Sequence, residues 1–231
     1  MKNTIAIIPA AGSASRMGFD KTTSKLNGIP LLARTIQAIS SAESISGIIV
    51  AVPSEKITEI KKDIVDKYNL NKVMKVVAGG NTRTETVWNA LQAIEQPVEI
   101  VAIHDGARPF ISTDIIEQSI EAAKQFGGAI VATKVIPTIK EVNSKKEIHR
   151  TIDRSKLWAA ATPQVFRYEE FLEAYKDFLK ERIDYKNITD DAQIFELFGK
   201  TVKIVEGDCE NIKITTPFDW KTAEMLVIRS S

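Results

Sequence analysis

Apolar residues along the chain fall into short unbroken runs separated by stretches with helical spacing. Residues 5–8, 48–52, 75–78, 100–103, 128–132 and 202–207 have the length and composition of strands. Between them lie segments whose apolar positions recur every three or four residues. The pattern predicts helices over 33–39, 56–68, 83–94, 115–126 and from Tyr168 to about Arg182, with Val87, Leu91 and Ile94 sharing a face of the third. A last helix opens at Thr216-Pro217-Phe218-Asp219, and residues 211–214 suggest a short edge strand. Strands alternating with helices imply crossover connections. Runs that do not alternate imply a mostly parallel sheet covered on both faces, hence an α/β protein of three layers.

Between residues 137 and 158 the pattern changes. Residues 138–142 and 147–152 alternate polar and apolar, with Asn143-Ser144-Lys145-Lys146 between them, which predicts a β-hairpin protruding from the body. It is either a surface flap or an arm that packs on another subunit, since a two-stranded ribbon is marginal by itself. Residues 162–166 lead into the helix at Tyr168. Without internal repeats or linkers, residues 1–231 are expected to form one domain carrying this arm.

In open parallel sheets ligands sit at the carboxyl ends of the strands. That rule brings three loops into one crevice: the loop after Ile8, the loop from Gly79-Gly80 to Arg83, and His104 to Pro109. The first runs Pro9-Ala10-Ala11-Gly12-Ser13-Ala14-Ser15-Arg16. Its side chains are so small that the backbone can approach a ligand and turn its N–H groups on an anion, and Arg16 adds a fork of donors suited to phosphate. It lacks the second glycine of a dinucleotide fingerprint, because position 14 is alanine, and it lacks the Gly-Lys-Ser/Thr of a P-loop.

Asp105 lies just past a buried strand. It either holds Mg²⁺ together with triphosphate oxygens or pairs with Arg108. Lys21 and Lys25 are either phosphate-binding or solvated. Lys213, between Ile212 and Ile214, is a site residue or an edge-strand guard. Thr189-Asp190-Asp191 reads as a helix cap, Arg154 beside Asp153 as an ion pair, and His104 as structural.

Bulk composition narrows the partners. The 231 residues are 44% hydrophobic and 26% charged with a net charge of +1, which gives no reason to expect nucleic acid or an anionic membrane. One cysteine, Cys209, and two histidines make an internal disulfide impossible and a zinc site improbable. No apolar signal segment precedes the first strand, so the expected location is cytoplasmic.

Taken in order, Pro9-Ala-Ala-Gly-x-x-x-Arg16-Met-Gly, Gly79-Gly-x-x-Arg83, His104-Asp-Gly-Ala-Arg-Pro109, Asp153-Arg154 with Leu157-Trp158, Thr162-Pro-Gln164, Thr189-Asp-Asp-Ala192 and Asn211-Ile-Lys213-Ile-Thr resemble the 2-C-methyl-D-erythritol 4-phosphate cytidylyltransferase family over almost the whole chain. The resemblance implies a Rossmann-like α/β fold with an arm exchanged in a homodimer. It implies transfer of CMP from CTP to methylerythritol phosphate with Mg²⁺, by in-line attack and without a covalent enzyme intermediate. Carried over by motif, Arg16, Lys21 and Lys213 would be the catalytic cations. The backbone of Ala10, Ala11, Gly12, Ser13, Ala14 and Ser15 would cradle CTP. Gly79, Gly80 and Thr86 would face its cytosine and ribose, and Asp105 would lie by the metal and ribose with Ala107 and Arg108 close by. Thr138, Arg154, Thr162, Thr189 and Asp190 would join Arg108 in receiving the polyol phosphate. Two departures stand out: Ala14 replaces the family's glycine, and Asp20-Lys21-Thr22 replaces Pro-Lys-Gln, leaving Lys25 as a competitor for the loop lysine.

The nearest rival is ribitol 5-phosphate cytidylyltransferase, against which Ala10-Ala11 and the His-Asp-Gly-Ala-Arg-Pro wording count. A non-catalytic nucleotide-binding module has no need of Arg16, Asp105 and Lys213 together. The missing glycine disfavours an NAD-dependent oxidoreductase.

Overall fold

The computed structural model describes residues 3–12, 20, 22–181 and 188–229. Eleven strands and seven helices are present among them. The strands are β1 (Thr4–Pro9), β2 (Lys25–Leu26), β3 (Ile29–Pro30), β4 (Ile45–Val52), β5 (Val73–Ala78), β6 (Ile100–Ile103), β7 (Gly128–Lys134), β8 (Ile139–Val142), β9 (Ile148–Ile152), β10 (Trp158–Arg167) and β11 (Val202–Glu206). The helices are α1 (Leu31–Ser40), α2 (Ile57–Ile60, continued by a wider helical turn over Lys61–Asp66), α3 (Arg83–Gln92), α4 (Thr113–Phe126), α5 (Tyr168–Lys180), α6 (Asp191–Leu197) and α7 (Pro217–Arg229).

Seven strands form one sheet in the order β11-β7-β10-β6-β1-β4-β5. Successive residues of its central strands pack into different cores. Ala6 and Ile8 of β1, Ile48, Val50 and Val52 of β4, and Ile100 and Ala102 of β6 face α1, α2 and α4. Ile5 and Ile7, Ile49 and Ala51, Val101 and Ile103 face α3, α5 and α6. Both faces are therefore apolar, which is why these strands show no alternation. A smaller cluster of Leu26, Leu31, Ala107, Ile214, Ala223 and Val227 fastens α7 and the segment before it to the rim.

The sheet is mostly parallel, but β10 runs antiparallel to both β6 and β7. A proline inside a run argues against a central strand. Here Pro163 falls where the register with β7 shifts, between Ala160 and Gln164, and pairing with β6 begins only at Gln164. No ladder bond needs the missing N–H. The expected edge strand at residues 211–214 is absent. That segment is held by individual bonds instead: the Ile214 N–H donates to the Ala107 carbonyl (2.9 Å) and Asn211 Nδ2 to the Thr162 carbonyl (2.8 Å).

The hairpin is present as β8 and β9, a two-stranded antiparallel sheet that pairs with no strand of the main one. Val142 and Ile148 on it, and Ile136 at its base, are largely exposed. No helix among the described residues is long and apolar enough to cross a membrane.

Candidate active site

β1, β5 and β6 end on the same edge of the sheet, and their backbones stay tied beyond the last paired residues. The Ala10 N–H donates to the Ala51 carbonyl (2.7 Å), the Gly79 N–H to the Val52 carbonyl (2.8 Å) and the Gly106 N–H to the Pro9 carbonyl (3.3 Å). The three loops thus converge as expected, around a cavity of about 500 Å³.

One wall is bare backbone. Ala10, Ala11 and Gly12 line it, and Gly79 lies so close behind that a Cβ there would sit 2.4 Å from Ala11 Cβ. Opposite, the start of α3 is capped: Thr82 Oγ1 accepts from the Glu85 N–H (3.0 Å), and Glu85 Oε2 accepts from the N–H of the preceding Asn81 (2.8 Å). Thr86 is buried; its hydroxyl accepts from the Gly80 N–H (3.0 Å) and donates to the Thr82 carbonyl (2.8 Å), fixing the Gly79-Gly80 turn against the helix.

The rim carries the charge. Asp105 is 7% exposed and faces three cations. Lys213 Nζ lies 2.9 Å from Oδ2, Arg108 Nε 3.3 Å from Oδ2 and Arg83 Nε 3.5 Å from Oδ1. Burial pushes the Asp105 carboxyl upward, but Arg83, Lys213 and Arg108 outweigh it and hold the group far below the usual carboxylate range. Arg83 also pairs with buried Asp191, Nη2 to Oδ2 at 2.7 Å. Three cations against two carboxylates leave this rim positive, in a protein that is nearly neutral overall.

Behind Asp105 stands a neutral relay. The Thr162 hydroxyl accepts from the Asp105 N–H (3.0 Å) and contacts His104 Nδ1 (3.2 Å), while His104 Nε2 faces the Arg108 carbonyl (2.9 Å). A carbonyl only accepts, so Nε2 carries the proton and Nδ1 accepts from Thr162. Complete burial pushes the His104 pKa down to about 4. His104 is structural, as its sequence suggested.

The residues picked out from the sequence divide as follows. Ala10, Ala11, Gly12, Gly80, Thr86, Asp105, Ala107 and Lys213 border the cavity; Gly79 and Arg108 lie directly behind it. Thr162 is buried against Asp105. Asp190 is the N-cap of α6, accepting from the Gln193 N–H (3.0 Å) and from Gln164 Nε2 (2.9 Å), and Thr189 bonds to Gln193. Thr138 and Arg154 sit exposed on the arm, away from this chain's cavity. Arg154 donates to the Ile136 carbonyl rather than pairing with Asp153, which instead accepts from the Ser155 N–H. Lys25 is exposed on β2 and does not border the cavity. Ser13, Ala14, Ser15, Arg16 and Lys21 lie outside the described residues.

Three charged residues went unassigned in the sequence. Arg83 was visible in its motif, but nothing in spacing shows that it spans two carboxylates. Asp191 looked like half of a helix cap. Lys56, on the predicted second helix, pairs with Asp20, whose carboxylate also accepts from the Thr22 N–H (3.0 Å).

Comparison with known proteins places this geometry. The family model described as 2-C-methyl-D-erythritol 4-phosphate cytidylyltransferase matches residues 4–229. The chain belongs to the 2-C-methyl-D-erythritol 4-phosphate cytidylyltransferase family. Proteins of that name from Alkaliphilus oremlandii and Desulforamulus reducens are each 42% identical to it, over 98% and 99% of this chain and 96% and 97% of theirs. Among solved structures, a 4-diphosphocytidyl-2C-methyl-D-erythritol synthase from Anaerococcus prevotii is 31% identical with a TM-score of 0.85, covering 98% of this chain and 99% of that one. A cytidylyltransferase of the family from Thermus thermophilus is 29% identical with a TM-score of 0.80, covering 99% and 100%. The α/β fold described above is thus shared over nearly the whole chain with solved structures of the family.

Proposed function

We propose that this chain transfers CMP from CTP to 2-C-methyl-D-erythritol 4-phosphate, releasing pyrophosphate. The observation that carries the reading is the cavity of about 500 Å³, bare backbone on one side and on the other a carboxylate ringed by Arg83, Arg108 and Lys213. Nucleotidyl transfer passes through a crowded phosphorus centre bearing extra negative charge, so positioned cations and N–H groups do most of the work. The substrate phosphate attacks the α-phosphorus of CTP in line; its oxygen forms the new bond as the pyrophosphate oxygen leaves. No side chain becomes covalently bonded. Arg16, Lys21 and Lys213 neutralise the triphosphate and the transition state. The small-residue backbone from Ala10 cradles CTP, and Gly79, Gly80 and Thr86 face its cytosine and ribose.

Mg²⁺ belongs to the proposal in one form. Among the described residues no three His, Cys, Asp or Glu side chains come together as a metal cage. Asp105 is a single carboxylate, and both its oxygens already face cations. Such a donor set fits a metal delivered on the triphosphate, whose oxygens supply most ligands, rather than one bound beforehand. Bound there with Asp105 as protein ligand, it would neutralise phosphate charge.

The arm belongs to it as well. Thr138 and Arg154 are exposed at the base of the ribbon, beside exposed Ile136, with Val142 and Ile148 exposed farther along it. In a homodimer the ribbon would cover those side chains and bring Thr138 and Arg154 to the neighbouring cavity as phosphate ligands. The reading places the enzyme in the cytoplasm.

The experiment is pyrophosphate release with Mg²⁺, pairing CTP separately with methylerythritol 4-phosphate and ribitol 5-phosphate, with ATP, GTP and UTP as controls. Release confined to CTP with methylerythritol 4-phosphate is expected. Preference for ribitol phosphate would keep the chemistry and change the acceptor, and folded protein inactive with every pair would overturn the reading.

A further inference from the structure

Asp191 has no part in the chemistry above, yet it is 1% exposed, and its buried Oδ2 makes no hydrogen bond within this chain's described residues, only the ion pair with Arg83. It is the first residue of α6. The Gln164 side-chain carbonyl, reaching from β10, accepts from the Asp191 N–H (2.9 Å) and the Ala192 N–H (3.0 Å), which pins the helix start to the sheet. The hydroxyl of fully buried Tyr175 donates to Asp191 Oδ1 (3.0 Å). Oδ2 faces Arg83 Nη2 at 2.7 Å. The same guanidinium turns its Nε toward Asp105 Oδ1.

One arginine therefore bridges a carboxylate on the cavity rim and a carboxylate in the core. Stability does not account for this arrangement, because a buried ion pair is commonly no better than apolar packing. Geometry does. Arg83 is partly open to the cavity, and without Asp191 its long side chain has several rotamers reaching into that space. With Asp191 in place the guanidinium is drawn back by the opposite charge behind it, and Tyr175 and Gln164 set Asp191 in turn.

We infer that Asp191, acting through Arg83, is a positioning residue that fixes the Asp105 carboxylate with Oδ2 toward Lys213 at the cavity rim. The inference rests on the cytidylyltransferase reading of the site. Asp191 touches no reactant; it holds the group that holds Asp105. Tyr175 belongs to the same device.

A double-mutant cycle tests it. Asp191→Asn, Asp105→Asn and the double variant are compared by kcat and KM in the CTP and methylerythritol 4-phosphate assay, with thermal melts alongside. Asp191→Asn alone is expected to lower kcat about thirtyfold, the size of coupling seen for contacting buried charges. In the Asp105→Asn background the same change is expected to have little further effect, because the group being positioned is already gone. A merely structural role would give the same loss in both backgrounds, and that additive result overturns the inference.

Should Asp191→Asn not fold, the cycle is run with Tyr175→Phe, which removes one hydrogen bond and leaves the ion pair; a smaller loss that vanishes in the Asp105→Asn background supports the same conclusion. If the wild-type protein shows no turnover, the enzymatic reading fails separately, and the cycle is read on CTP affinity. There, non-additive losses uphold the positioning role and additive ones overturn it.

Discussion

The Lys213 ammonium lies 2.9 Å from Asp105 Oδ2, at the mouth of the cavity and on a segment that belongs to no strand. What places it is the residue beside it. Ile214 is fully buried in the rim cluster, and its N–H bonds to the Ala107 carbonyl, so the backbone is locked while the lysine side chain stays partly free. An ion pair with such a half-exposed partner adds less than about 1 kcal/mol to stability. Its importance is to chemistry.

Lys213→Ala should therefore leave the fold intact and damage the reaction. Removing one preorganised charge-stabilising group lowers kcat by about 10²–10³-fold. Rates of pyrophosphate release and a thermal melt check the two halves. Undiminished turnover would take Lys213 out of the mechanism, and a collapsed melting curve would show that its role is structural.

Gly79→Ala should be harmful for a steric reason. The new Cβ would lie 2.4 Å from Ala11 Cβ and 3.1 Å from Thr86 Oγ1, so the Gly79-Gly80 turn or the small-residue loop must shift. Overpacking of this kind costs about 1–3 kcal/mol. Because the displaced atoms line the cavity, CTP affinity should weaken along with stability. Adding Ala11→Gly removes the closest clash and should restore part of both. Urea denaturation and CTP titration of the single and double variants decide it; no rescue by Ala11→Gly would mean that the Thr86 side of the turn dominates.

These two sites also show what was legible in the sequence and what was not. Unalternated runs gave the central strands because both faces of the sheet are apolar. The Gly79-Gly80 turn and the Ala10–Gly12 loop were visible as small residues after strands. By contrast β10 hid behind Pro163, whose tolerance depends on a register shift that no local pattern encodes. Lys213 read as a strand residue because Ile212 and Ile214 flank it, whereas only Ile214 is fully buried. Arg83 and Asp191 are 108 residues apart, and they meet because Gln164, Tyr175 and the core packing of α6 bring the helix start to the sheet. Local periodicity carries no record of such long-range pairing.

The arm yields a prediction about assembly. Ile148 is 64% and Val142 51% exposed on a ribbon that the other described residues leave uncovered. If a second copy covers it, Ile148→Asp should shift the protein to monomer and remove activity together, since Thr138 and Arg154 would no longer reach a neighbouring cavity. Sedimentation velocity of both proteins, with the release assay, tests this. A wild-type monomer with full turnover would leave the arm without a role in the site.

The last prediction concerns pH. His104 is neutral and buried, with Nδ1 committed as an acceptor and Nε2 as a donor. Its pKa falls from 6.5 to about 4 on folding because burial penalises the charged ring. Between those values the unfolded chain binds a proton that the folded chain refuses, so acid favours unfolding. The stabilising contribution is complete above pH 6.5, is lost as the pH falls from there, and is gone at about 4. Its full size is about 3 kcal/mol. Asp105 acts lower down and in the same direction: its carboxyl is depressed below 3.8 by Arg83, Lys213 and Arg108 despite its burial, so its contribution is present above 3.8 and is lost as acid protonates it. Acid destabilisation should thus come in two parts, His104 first. His104→Gln, which does not titrate, should remove the upper part and leave the lower. Urea midpoints measured through both ranges would show it, and an unchanged slope in the upper range would assign the acid sensitivity to other groups.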